Sequence, residues 1–132
     1  MKTNIVLFIT LFTLTSFAVA DEWQRTSPFR DVKIQGSYIF VDFEGAYYQV
    51  KEIDGHTALE IIKAAKSKFN SNWKRRLIEE LPEVLEAAGS EPSTYKSLLL
   101  KELGTESMKR VSRAKFTSRN RQEVMRRKRL IE

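Results

Sequence analysis

Residues 37–55, SYIFVDFEGAYYQVKEIDG, decide the fold. Ile39, Val41 and Phe43 fall on one side of an extended chain, with Tyr38, Phe40 and Asp42 on the other. That two-residue period belongs to a strand with one apolar face. Glu44 and Gly45 supply a two-residue hairpin turn, since glycine tolerates the positive φ such turns require. The returning strand, residues 47–53, then pairs antiparallel and ends at Asp54-Gly55.

Residues 56–89, HTALEIIKAAKSKFNSNWKRRLIEELPEVLEAAG, change period. Thr57 and Glu60 have the spacing of a capping box, so a helix starts at Ala58. Its apolar stripe is Ala58, Ile61, Ile62, Ala65 and Phe69, which packs on the hairpin. Asn70-Ser71-Asn72 supplies a left-handed stop and a new N-cap, and a second helix carries Trp73, Leu77, Ile78 and Leu81 on one side. Pro82 has no amide hydrogen and crowds the preceding turn, so the helix kinks or restarts there and closes at Gly89.

Residues 94–103, with Leu98, Leu99, Leu100 and Leu103, read as a buried strand, and residues 107–116 as a weaker, very basic one. Thr117 or Ser118 caps a last helix. The fold class expected is α+β: an antiparallel sheet of two hairpins covered by a helical block, in the order β-β-α-α-β-β-α.

Upstream, residues 21–36 show no steady period and read as an irregular lead-in, with a short extended piece at 32–34. Lys2, the apolar run 5–17 and the small residues Ala18 and Ala20 read as a signal peptide over residues 1–20, cleaved before Asp21. The expected domain plan is therefore a leader at 1–20, a lead-in at 21–36, one α+β domain at 37–116 and a basic helix or tail at 117–132. The expected location is exported, periplasmic or extracellular. Some 112 residues remain, enough for one core.

Cysteine is absent. Disulfides, thiol catalysis and cysteine-ligated metals are thereby excluded. No cofactor and no metal site is expected. His56 is the one histidine, placed at an exposed turn without the partners that base or metal chemistry needs. Glu79, Glu80, Glu83 and Glu86, beside Lys74, Arg75 and Arg76, read as a solvated helix flank with ion pairs one turn apart. No catalytic residue is assigned.

The run YQVKEIDGHTALEII, followed by SLLLKEL, a turn at Gly104-Thr105 and MKRVSRAKF, resembles the latter half of a bacterial PDZ domain, as found ahead of the catalytic domain in tail-specific peptidases. The segment 66–89 is longer than the corresponding PDZ helix, and a Gly-Leu-Gly-Phe-like carboxylate-binding loop is missing. The resemblance implies a peptide-binding role and carries no catalytic residue.

Two surfaces are candidates for binding. Tyr38, Phe40, Tyr47, Tyr48 and Trp73 are aromatics that a partner protein or peptide would use as anchors. Arg119, Arg121, Arg126, Arg127, Lys128 and Arg129 form a basic end. From Lys109 onward ten basic residues stand against two acids, whereas residues 21–108 carry twelve against fifteen. That end would suit an anionic membrane surface or a polyanion. Nucleic acid ranks last, because the basic residues lack interleaved aromatics. The leading expectation is a non-enzymatic module that binds a protein or peptide through a sheet edge or aromatic face. The alternative is a polyanion or envelope-surface binder using the basic C-terminus, and a small enzyme ranks below both.

Overall fold

The computed structural model describes residues 23–131; the signal peptide read in residues 1–20 lies outside them. The strands are β1 (Asp31–Gln35), β2 (Tyr38–Phe43), β3 (Ala46–Ile53), β4 (His56–Thr57), β5 (Tyr95–Glu102) and β6 (Met108–Lys115). The helices are α1 (Ala58–Phe69), α2 (Trp73–Glu79), α3 (Leu81–Ala87) and α4 (Ser118–Ile131). The fold is α+β, with an antiparallel sheet in the order β1-β2-β3-β5-β6 and β4 attached to β3.

The hairpin forms as its residues dictate. Phe43 pairs with Ala46, so Glu44 and Gly45 make the whole turn, both at positive φ (52° and 92°). A turn with both central residues left-handed matches the twist of the strands it joins. Asp54 and Gly55 repeat the device, with φ of 53° and 79°, and His56 pairs back to Ile53. His56 thus belongs to a short strand and is half-buried. Thr57 then caps α1: its Oγ1 accepts from the Glu60 amide at 3.2 Å and donates to Glu60 Oε1 at 3.1 Å. The backbone of Thr57 pairs with Glu52, so the glutamate of the capping box meets the hydroxyl.

The extended piece expected at 32–34 is a full strand. β1 pairs with all of Tyr38–Asp42 through the turn at Gly36-Ser37, and the lead-in is therefore part of the sheet. Its Trp23 and Phe29 are buried, with Phe29 edge-on to Phe43 at 6.4 Å. Ser27 and Thr117 exchange two main-chain hydrogen bonds of 3.1 and 3.0 Å, which ties the lead-in to the residue just past the end of β6.

One core fills the space between the sheet and the helices. Ile39, Val41, Val50, Ile53, Leu98 and Leu100 from the sheet meet Ile61, Ile62, Ala65, Leu77, Val84 and Leu85 from the helices. Asn70 ends α1 at a positive φ of 51° but with ψ of −123°, not in the left-handed helical conformation expected of the stop, and Asn72 makes no side-chain cap. Pro82 sits in the first turn of a fresh helix, as its missing amide requires. Strand β5 is buried on one face only: Leu99 is half-buried and Leu103 lies exposed beyond its end. Helix α4 is docked, with Val124 buried in the core.

Candidate functional site

Strand pairing assigns the sheet's two faces. Direct partners project to the same side, so Lys33, Phe40 and Gln49 share a face, as do Asp42 and Tyr47. Across β5 and β6 the same face takes Leu99 with Arg110, Lys101 with Met108, and Tyr95 with Lys115. The opposite face holds the core residues. Among these outward residues only Asp42 is buried.

The outward face is aromatic and cationic. Tyr38 is 54 % exposed, Tyr47 41 %, Tyr95 40 % and Met108 52 %. The Tyr38 and Phe40 rings lie 6.3 Å apart and tilted. Lys33 sits 5.7 Å from the Tyr47 ring and Arg113 4.4 Å from the Tyr95 ring. These cations both attract and screen the rings.

Tyr47 is held by a specific contact. Its hydroxyl donates to Asp31 Oδ2 at 2.7 Å, and this bond, with burial and the carboxylate's charge, pushes the phenol above its usual value. Beside it, Asp42 Oδ1 accepts from the Gly45 amide at 2.9 Å and Asp42 Oδ2 from Arg127 Nη1 at 2.8 Å. The Arg127 guanidinium is raised in pKa by its hydrogen bonds to Asp42 and then Glu123.

Two of the five predicted aromatics are elsewhere. Tyr48, at 9 % exposure, pairs with Val41 and points into the core. Trp73 opens α2 on the helical side, half-buried, with Lys66 and Lys74 at 5.0 and 5.7 Å from its ring. Tyr38, Phe40 and Tyr47 remain together, and Tyr95, Leu99 and Met108 join them. Reading residues 94–103 as fully buried concealed Tyr95, although it alternates with the buried Lys96.

The basic end is also redistributed. Arg121 donates to the Glu79 carbonyl at 2.9 Å and to Glu80 Oε1 at 3.0 Å. Lys128 reaches Glu79 Oε2 at 2.5 Å, and Arg126 and Arg127 both hold Glu123. Arg119 and Arg129 are exposed. Two of the acids expected to pair within one helical flank, Glu79 and Glu80, instead clamp α4 to the junction of α2 and α3, while Glu83 does pair within that flank, with Arg76 at 3.4 Å.

A further polar cluster was not visible in the sequence. Lys96, with its side chain 2 % exposed, lies 3.4 Å from Asp54 Oδ2, donates to the Glu91 carbonyl and sits 5.5 Å from the Trp23 ring. Ser90 Oγ donates to the same Asp54 oxygen at 2.5 Å. Burial alone would raise the Asp54 carboxyl, but the Ser90 bond and the Lys96 charge outweigh it and hold it below the usual range. This cluster ties the β3–β4 turn to the segment after α3.

No protein-family model, curated protein or solved structure matches this chain. Among the described residues, no helix is long and apolar enough to cross a membrane.

Proposed function

We propose that this chain is an exported, non-enzymatic binding module that takes a protein or peptide on its sheet. One observation carries the reading: a sheet face exposing Tyr38, Tyr47, Tyr95 and Met108. Tyrosine presents a large, stiff contact area with a polar tip, at low entropic cost. Strand β6 forms the edge of the same sheet, and a sheet edge offers main-chain groups to an extended segment. The PDZ-like motifs and the leader read in residues 1–20 point the same way.

Selection from a displayed random-heptapeptide library on the immobilised chain tests this. Enriched peptides are expected to lose at least tenfold in affinity with Tyr38→Ser or Tyr95→Ser while the circular dichroism spectrum is unchanged. Enrichment no better than background, or peptides indifferent to both substitutions, would sink the reading.

Attachment to an anionic surface is the second reading. Lys109, Arg110, Lys115 and Arg119 favour it, since all four are exposed and have no ion pair among the described residues. Such attachment would fade steeply with salt, whereas an apolar contact would persist.

A further inference from the structure

Strand β6 combines an edge that has no strand partner among the described residues with an unbalanced charge. Its eight residues, MKRVSRAK, hold Lys109, Arg110, Arg113 and Lys115 and no acid. Strand β5 pairs along one side of it, and β6 ends the sheet. Among the described residues, the lead-in pairs with this end once, where Ser27 bonds Thr117 in antiparallel fashion, and then leaves. Phe29, whose amide would bond next in that ladder, donates it to Ser27 Oγ at 3.1 Å. Arg30 instead donates to the Asp42 carbonyl at 2.9 Å and starts β1.

The departure leaves a cleft of about 360 Å³, the size of a small ligand site. Val111, Ala114 and Lys115 of β6 line it, together with Arg30 and Phe43. Glu44 is the one acidic residue on its lining. The lining mixes apolar Pro28, Phe43, Val111 and Ala114 with basic Arg30, Arg113 and Lys115, along a strand of roughly 27 Å at about 3.4 Å per residue.

We infer that the β6 edge binds an extended acidic segment of a partner protein, which adds to the sheet as an antiparallel strand where Ser27 already begins that pairing. The inference rests on the proposed binding role and supplies the partner's chemistry. Main-chain hydrogen bonds give affinity, while glutamate or aspartate side chains meet Lys109, Arg110 and Lys115. A second copy of this chain does not suit the edge, because β6 beside β6 would set four cations against four. Basic residues on an edge strand block self-pairing in that way. Those same charges select an acidic guest.

The test uses the full chain, isotopically labelled, with an eight-residue peptide alternating glutamate and valine. Controls are the lysine-valine counterpart, a glutamate-valine peptide N-methylated at alternate amides, and heparin. Amide shifts are expected across residues 108–115 and at Thr117, with at least tenfold weaker binding for the lysine peptide and for the N-methylated one. Arg110→Glu with Lys115→Glu, both at exposed positions, should cost at least tenfold without changing the spectrum of the free protein.

If the N-methylated peptide binds as well as its parent, or heparin competes without regard to backbone, the edge is a plain polyanion site and the inference fails. Shifts confined to Tyr38, Phe40 and Tyr47 and indifferent to peptide charge would leave the binding role standing and remove this edge from it. Failure of every peptide here, joined to failure of the library selection, removes both.

Discussion

Arg127 Nη1 lies 2.8 Å from Asp42 Oδ2, joining residues 85 positions apart. Only 6 % of the Asp42 side chain is exposed, so the guanidinium is what neutralises that carboxylate. Arg127→Ala should cost about 3 kcal/mol, the usual penalty for leaving a buried charge unpaired. Arg127→Lys should cost roughly 1 kcal/mol, because an ammonium lacks the planar fork that serves Asp42 and Glu123 together. Urea midpoints for the two variants check this, and equal midpoints for Ala and wild type would mean that α4 is anchored elsewhere.

Acid should loosen the fold through carboxylates that are held low. The Arg126 and then Arg127 hydrogen bonds bring the Glu123 carboxyl to about 2. In Asp54, burial is outweighed by Ser90 and Lys96. Both folded values lie below the unfolded ones of about 4. Their contribution is therefore complete above roughly pH 5 and is lost as pH falls through the folded values. Ser90→Ala should flatten the acid limb of a urea-midpoint profile between pH 2 and 7, and a profile parallel to wild type would contradict the assignment.

Lys96 should tolerate methionine better than alanine. Its stem is buried, whereas Asp54 keeps 39 % of its side chain in water and can be solvated alone. Lys96→Ala opens a cavity and should cost about 2–4 kcal/mol. Lys96→Met preserves most of the packing and should cost about 1–2 kcal/mol. Equal thermal midpoints for the two variants, both below wild type, would mean that the charge, not the stem, is what matters.

Glu44 is a non-glycine residue at φ 52° in a turn whose second position is Gly45. Asparagine occupies that conformation more readily, so Glu44→Asn should stabilise by about 0.5–1 kcal/mol. Gly45→Ala should lose about 1–2 kcal/mol. Glu44 has no hydrogen bond or ion pair among the described residues, so a lowered melting point for Glu44→Asn would speak against the turn geometry.

Local chemistry carried much of the fold. The alternation of Ile39, Val41 and Phe43, the turn at Glu44-Gly45, the cap at Thr57 and the restart at Pro82 each depend on residues within one turn or one strand. Such patterns survive in one dimension because the backbone's own period writes them. Strand β1 was partly visible, since its alternation spans only Val32 and Ile34, and its remaining positions are polar.

The site was less legible. Tyr38, Phe40 and Tyr47 could be placed on the outward face because alternation names the side opposite the core. Tyr48 was misplaced because adjacent tyrosines must point opposite ways, and only the register Val41 to Tyr48 says which points in. The charges resisted sequence reading most. Glu79 was given a neighbour one turn away, yet its partner is Lys128, 49 positions on.

Sequence alone was enough for β2, β3, β5, β6 and the helices, though not for β1 and β4, and for the side of the hairpin strands that avoids water, since those depend on short-range periodicity and turn chemistry. Tertiary structure alone decided that Arg121, Arg127 and Lys128 are held by internal carboxylates while Lys109, Arg110 and Lys115 stand at an open edge. Coulomb attraction acts through space, and which cation meets which acid depends on how distant segments are folded together.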